Sequence, residues 1–398
     1  MNLPAIAGGK PVRTSPIGYG RQCIEDDDIQ AVVDTLKSDY ITCGPRVTAM
    51  EQSLAGYAGA KYAVAVSNGT TALHSAAVAA GVEAGDEVIT TPITFAASAN
   101  CALYCGAKPV FADINEKTYN IDPDDIERKI TARTKAVVAV DFTGQVVEAE
   151  RIRKICDAHG LVFIEDAAHS IGSRYKEQPV GSFADVTTFS FHPVKTITGG
   201  EGGAVLTNDA GFYKRLVLAH AHGITKNANW MVESHADEPW YYEMQMLGSN
   251  YRITDFQAAL ITSQLGKIER FRLRRKAIVS RYNEAFSVLP EIIVQEEIPE
   301  SDSCRHLYIL RLNLELLNCS QAEFFAAMAA EGVHCQVHYI PVYWFPYYKE
   351  LGYQRGLCPT AERVYNSIMS LPLFPLMTDD DVESVIEAVS RLVRYYRK

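Results

Sequence analysis

The stretch Tyr62–Leu73, YAVAVSNGTTAL, changes its periodicity in the middle. Tyr62–Val66 is a continuous apolar run of the kind that forms a strand covered on both faces, and the spacing after it predicts a helix over Thr70–Ala80. A strand that passes directly into a helix is the repeating unit of a parallel sheet, because the chain must cross back over the sheet before the next strand. The same alternation recurs outward from this point. Strands are expected in DEVITTP (Asp86–Pro92), KPVFADI (Lys108–Ile114), KAVVAVDF (Lys135–Phe142), LVFIEDA (Leu161–Ala167), VTTFSF (Val186–Phe191) and GGAVLTN (Gly202–Asn208). Helices are expected over Phe95–Cys105, Pro123–Ile130 and Glu148–His159, the last stopped by Gly160. The expected fold class is therefore α/β, a mainly parallel central sheet flanked by helices. One long helical pattern starts near Asp255; after it come a strand (HLYILRLN), a helix (SQAEFFAAMAAEG), a strand (VHCQVHY) and terminal helices. This change of texture divides the chain into a large domain, residues 1–270 including the N-terminal segment, and a small C-terminal α+β domain, residues 271–398.

The 398 residues are 47% hydrophobic and 22% charged, enough for a sizeable core without metal or disulfide staples. A formal net charge of -10 disfavours general nucleic-acid binding, since a phosphate backbone requires a basic footprint. The basic run Lys267–Lys276 alternates with Ile268, Phe271 and Leu273 at helical spacing and reads as the solvated face of an amphipathic helix. Nine cysteines without paired CxxC spacing give no metal site and suit reduced thiols in a cytoplasmic protein. No run approaches the length of a membrane span and no leader pattern opens the chain, so a soluble, unexported protein is expected.

In sheets of this class, ligands gather where strands end and helices begin. Three such places carry polar groups. Ser67-Asn68-Gly69-Thr70 sits at the mouth of a helix, where free amides favour a phosphate; the same letters also serve as an ordinary N-cap. FIEDAAHS ends a strand in Glu165 and Asp166, with His169 close behind, and a carboxylate so crowded by apolar residues needs a cationic or donor partner. SFHPVKTITGGEGG, Ser190–Gly203, sets Lys195 between a strand end and a glycine-rich turn. A desolvated lysine there is a better nucleophile toward a carbonyl carbon, although an ordinary loop lysine reads the same. Together these are the parts needed to hold pyridoxal phosphate: a phosphate cup, a covalent amine and an acid for the ring nitrogen.

Over nearly its whole length the sequence resembles the DegT/DnrJ/EryC1/StrS family of fold-type I, pyridoxal-phosphate-dependent nucleotide-sugar aminotransferases. The resemblance is carried by Gly44-Pro45, SNGTTAL, TPITFAASANC, DFTGQ, IEDAAHSIGS, SFHPVKTITGGEGG, GSNYRITDFQAALITSQL and VHYIPVY. It implies that Lys195 carries the cofactor, that Asp166 partners the ring nitrogen, and that His169 lies beside the ring hydroxyl. By the same resemblance Phe95 stacks on the ring, and Asn68, Gly69, Thr70 and Ser190 hold the phosphate. Asn250 reaches the phosphate of a neighbouring subunit in a homodimer with shared active sites, and His338 and Tyr339 contact substrate. SFHPVK, TPITFAASAN and HYIPVYWFPYY look closest to the branch that aminates UDP-linked 4-keto-6-deoxy sugars for pseudaminic acid, with L-glutamate as donor and 2-oxoglutarate as product. Other UDP- or dTDP-linked keto sugars, and a non-catalytic regulator on the same scaffold, stand as alternatives. Asn227–Leu247 has no regular period but carries Trp230, Trp240, Tyr241 and Tyr242, as an interface or a substrate lid does.

Overall fold

A computed structural model of the chain describes residues 3–233 and 238–398. Seven strands form the central sheet: β1 (Tyr62–Val66), β2 (Glu87–Thr90), β3 (Lys108–Phe111), β4 (Thr134–Val140), β5 (Val162–Asp166), β6 (Val186–Ser190) and β7 (Gly203–Thr207). Their order across the sheet is β1-β7-β6-β5-β4-β2-β3. Six strands run the same way; β7 alone is reversed and pairs antiparallel with both β1 and β6. Consequently the carboxyl ends of β1, β5 and β6 lie on one edge of the sheet, and β7 begins on that edge. The continuous apolar runs follow from burial on both sides. Ile89, Val137 and Phe163 point into one apolar layer, while their neighbours Val88, Val138 and Ile164 point into the other.

Helix α1 (Gly69–Ala79) follows β1, and α2 (Ala97–Tyr104) follows β2. The second helix starts two residues later than the sequence pattern suggests, which leaves Phe95 outside it and 62% exposed. Pattern reading also expects one long helix from Asp255, whereas the chain makes α3 (Asp255–Leu265) and α4 (Ile268–Phe286) with a break at Gly266 and Lys267. The break lets α4 serve two cores. Its first turns place Ile268 and Phe271 in the layer under the large sheet, and its later turns place Ile278, Val279, Tyr282 and Phe286 in a second core. Each such buried side chain stabilises the packing by about 1.5–3 kcal/mol, so α4 bolts the two units together.

The second core surrounds a small antiparallel sheet of β8 (Ile292–Val294), β9 (Tyr308–Leu312) and β10 (Ile368–Leu371), in the order β8-β9-β10. Helices α5 (Gln321–Ala330) and α6 (Asp379–Tyr396) cover it. The N-terminal segment, grouped with the large domain from the sequence, packs on this second core. Ile17 belongs to it, Ile17–Gly18 pairs with Val333–His334, and the buried Glu331 carboxylate accepts the N–H groups of Ala5 and Val12 at 2.9 Å each. This anchoring delivers Tyr19 to the site described next. Among the described residues, no helix is long and apolar enough to cross a membrane.

Candidate active site

A cavity of about 490 Å³ opens at the carboxyl edge of the large sheet, between it and the second core. Strand ends supply one wall. β1 runs into Asn68, Gly69 and Thr70 at the start of α1; β5 ends in Asp166; β6 ends in Ser190, and the turn after it brings Lys195. Strand alternation decides which carboxylate of Glu165-Asp166 faces the cavity. Asp166 lines it, while Glu165 is fully buried on the other face, accepting from Thr187 Oγ1 at 2.9 Å.

The close approach at the helix mouth depends on glycine. A Cβ on Gly69 would stand 2.8 Å from Ser190 Cβ and 3.1 Å from its hydroxyl oxygen, and a Cβ on Gly203 would stand 2.5 Å from the Asn68 carbonyl. The result is a cup made of a helix N-terminus and a serine, with the N–H groups of the first turn free of intrahelical partners. Asn68 also caps the helix. Its side-chain oxygen accepts the Thr71 N–H at 2.9 Å and the Thr71 hydroxyl returns to the Asn68 carbonyl at 2.9 Å, so that oxygen caps α1.

Electrostatically the cavity floor is unusual. Asp166 is 4% exposed; burial raises its carboxyl above the usual range, opposed by Ser98 Oγ donating at 2.6 Å, the Ala168 N–H at 3.2 Å, and the charge of Lys195. Burial brings the Lys195 ammonium down to about 8, with Asp166 pulling the other way. His169 is also 4% exposed. Burial first, then Lys195 and His338, holds its imidazole neutral, and Nε2 pairs with the Tyr339 hydroxyl at 3.2 Å while Nδ1 is enclosed without a partner.

The second core and the N-terminal segment build the other wall from Tyr19, His306, His338 and Tyr339. His338 Nδ1 pairs with Ser370 Oγ at 2.7 Å, and burial brings this imidazole down to about 4. The Tyr19 ring lies 5.1 Å from His338, and Phe95 meets Tyr339 edge-on at 6.4 Å. Ser98, Tyr19 and His306 line the cavity beyond the candidates expected from the sequence. Ser98 lies inside TPITFAASANC and was within reach of a motif argument; the other two are brought in only by long-range packing.

Every candidate residue except Asn250 lines this cavity. Asn250 is exposed, in an isolated bridge with Ala221, while the next residue, Tyr251, accepts the Ser67 N–H at 2.7 Å beside the helix mouth. The aromatic segment is split. Trp230 packs edge-on to Tyr213 at 6.1 Å, whereas Trp240 is 72% and Leu247 87% exposed; residues 234–237, which the lid or interface reading includes, lie outside the described residues.

The sequence pattern of the DegT/DnrJ/EryC1/StrS aminotransferase family matches residues 22–390. The chain belongs to this family. The spore coat polysaccharide biosynthesis protein SpsC of Bacillus subtilis is 40% identical over 94% of this chain and 97% of its own. The UDP-4-amino-4,6-dideoxy-N-acetyl-beta-L-altrosamine transaminase of Campylobacter jejuni is 35% identical over 96% of this chain and 99% of its own. Among solved structures, Helicobacter pylori PseC, an aminotransferase of pseudaminic acid biosynthesis, superposes with a TM-score of 0.89 at 32% identity, covering 96% of this chain and all of its own. A putative sugar aminotransferase of Streptococcus pneumoniae in its PLP form gives 0.87 at 30% identity, covering 96% and 99%. The fold is that of fold-type I enzymes, and the protein is a sugar aminotransferase that uses pyridoxal phosphate.

This cofactor fits the residues present. The Gly69–Ser190 cup suits an anion, the enclosed Nδ1 of His169 has spare hydrogen-bonding capacity, and an acid and an amine line the same cavity.

Proposed function

We propose that this enzyme transfers the amino group of L-glutamate to the 4-keto carbon of a UDP-linked 6-deoxy-N-acetyl sugar, UDP-4-keto-6-deoxy-N-acetyl-β-L-altrosamine, a reading supported by the Campylobacter relative named for the corresponding 4-amino sugar. The observation that carries the reading is one cavity lined by Lys195, Asp166 and the Gly69–Ser190 cup, with the lysine amine depressed to about 8.

Pyridoxal phosphate, when bound, withdraws electrons from the carbon that gives up its proton. Lys195 would hold the cofactor through Nζ, and its amine would take the proton from the donor's α-carbon and return one to the sugar carbon. An amine with a pKa near 8 can both accept and release a proton near neutral pH. Asp166, fixed by Ser98 and Ala168, keeps the ring nitrogen charged. Asn68, Gly69, Thr70 and Ser190 would hold the phosphate, Phe95 would cover the ring, and His169 would hold the ring hydroxyl. His338 and Tyr339 meet the sugar.

Two copies form the working unit in this reading. The exposed Asn250 and the exposed aromatic segment around Trp240 supply the shared face, with Asn250 reaching the partner's phosphate site. Mixing Lys195→Ala and Asn250→Ala chains tests it: recovered activity supports shared sites, and a monomer by light scattering overturns them.

The substrate is tested by supplying UDP- and dTDP-linked 4-keto and 3-keto sugars with L-glutamate and identifying the products. Amination at C4 of the UDP-linked N-acetyl sugar is expected. Turnover of a dTDP-linked sugar with none of any UDP-linked one refutes this substrate while leaving the reaction class intact.

A further inference from the structure

His306 is a cavity group with no role in the scheme above. It precedes β9, and its backbone is fixed on both sides: its N–H donates to the Thr143 carbonyl at 2.8 Å and its carbonyl accepts from Arg275 Nη1 at 3.2 Å. The ring is 4% exposed, lines the cavity and lies 4.5 Å from the His169 ring, centroid to centroid. Its Nδ1 is enclosed without a partner. Burial first, then the neighbouring His169, Lys195 and Arg275, holds the ring well below its ordinary range, so at neutral pH it carries one proton. On Nδ1 that proton would be a buried, unpaired donor; on Nε2 it is free to meet a ligand.

The cavity lacks the usual means of holding an organic acid. Among the described residues, Lys195 is the only lysine or arginine that lines it, and the ionisable acids lining it, Asp166 and Glu201, repel carboxylates. On the proposed function Lys195 is committed to the cofactor and to the α-proton. The donor's α-carboxylate is bonded to the very carbon whose proton Lys195 moves, so within this chain a neutral donor lining the same cavity is left to receive it. The His306 ring lines the same cavity as Lys195 and is 4% exposed, whereas Phe95 is 62% exposed.

We propose that His306 is a recognition residue for the amino donor, its Nε2–H donating to a carboxylate of L-glutamate and of the 2-oxoglutarate that leaves. This rests on the glutamate-dependent reading of the site. A hydrogen bond to a charged group sets the expected size: His306→Phe raises the KM for L-glutamate and the Kd for 2-oxoglutarate by about tenfold or more, while the KM for the nucleotide sugar stays within about twofold. His306→Gln places an amide N–H near the Nε2 position and keeps both constants within about threefold of the wild type; His306→Asn mimics the other nitrogen and behaves like Phe.

The constants are read by steady-state kinetics and by calorimetric titration of the cofactor-loaded enzyme with 2-oxoglutarate. Melting temperature is the folding control, and if the Phe variant does not fold, the Gln and Asn variants decide. An unchanged Kd in His306→Phe, equal shifts for both substrates, or equal effects of Gln and Asn overturn the assignment. A wild type that neither binds 2-oxoglutarate nor converts L-glutamate instead overturns the donor reading on which it stands.

Discussion

The two walls of the cavity are built by different means. The sheet wall takes each chemical group from a strand end and the few residues after it, so Asp166 is placed at the end of β5 and Lys195 by the turn after β6. The opposite wall takes Tyr19, His306, His338 and Tyr339 from segments far apart in the chain, held by Leu373 N–H to the Tyr19 carbonyl at 3.0 Å and by Arg275 to the His306 carbonyl. On the proposed function, chemistry sits on the wall whose geometry the sheet dictates, and selection of what enters falls to the wall assembled by packing. If that division holds, substitutions on the sheet wall lower kcat, and those on the other wall act mainly through KM.

The largest expected effect is at Lys195. Lys195→Ala loses at least about 10⁴-fold in turnover, because one amine serves as both anchor and proton carrier. Borohydride treatment of the loaded wild type followed by mass spectrometry should fix the cofactor on the peptide holding Lys195; label on another lysine breaks the assignment. Asp166→Asn retains the cofactor but loses about 10²- to 10³-fold in kcat, since a neutral amide does not sustain charge on the ring nitrogen. Normal turnover by that variant removes Asp166 from its role.

The same pair makes a pH prediction. In cofactor-free protein only the uncharged Lys195 amine captures the aldehyde, so the capture rate rises with pH through a midpoint of about 8, against roughly 10.4 for an ordinary lysine. Asp166 raises the Lys195 pKa, so Asp166→Asn moves the midpoint below that of the wild type. A midpoint moving upward contradicts the coupling. Of intermediate size, Gly69→Ala pushes a methyl into Ser190 and weakens cofactor affinity; equilibrium dialysis measures it.

How much of this was legible in the sequence follows the same division. The alternating strands and helices, and the strand-end positions of Asn68, Asp166, Ser190 and Lys195, are local properties that periodicity reports. The reversed direction of β7 was not, because an apolar run in a doubly covered sheet reads alike in either direction. Nor was the break at Gly266 and Lys267, because the apolar spacing of α3 resumes in α4 and masks the glycine stop between them. Asn68 carried two readings in the sequence, and the Thr71 contact assigns its side-chain oxygen to the cap. His306 and Tyr19 had no local signal; a histidine at a strand start and a tyrosine between glycines are ordinary until the second core folds them against His169 and His338.

The smallest effect sharpens the comparison most, because it lies on the seam between the walls. Tyr339 belongs to the packed wall, yet its hydroxyl meets Nε2 of His169 from the sheet wall at 3.2 Å. Tyr339→Phe keeps the ring that contacts Phe95 and removes only that hydrogen bond, worth about 0.5–1.5 kcal/mol. If the seam positions His169 for the chemistry, kcat falls by roughly two- to tenfold with the KM for L-glutamate unchanged. If the hydroxyl instead serves selection, the nucleotide-sugar KM rises with kcat intact, and the boundary between the walls lies between His169 and Tyr339. A single kcat and KM determination for each substrate distinguishes these results, since one bond cannot produce the first pattern while belonging only to the second wall.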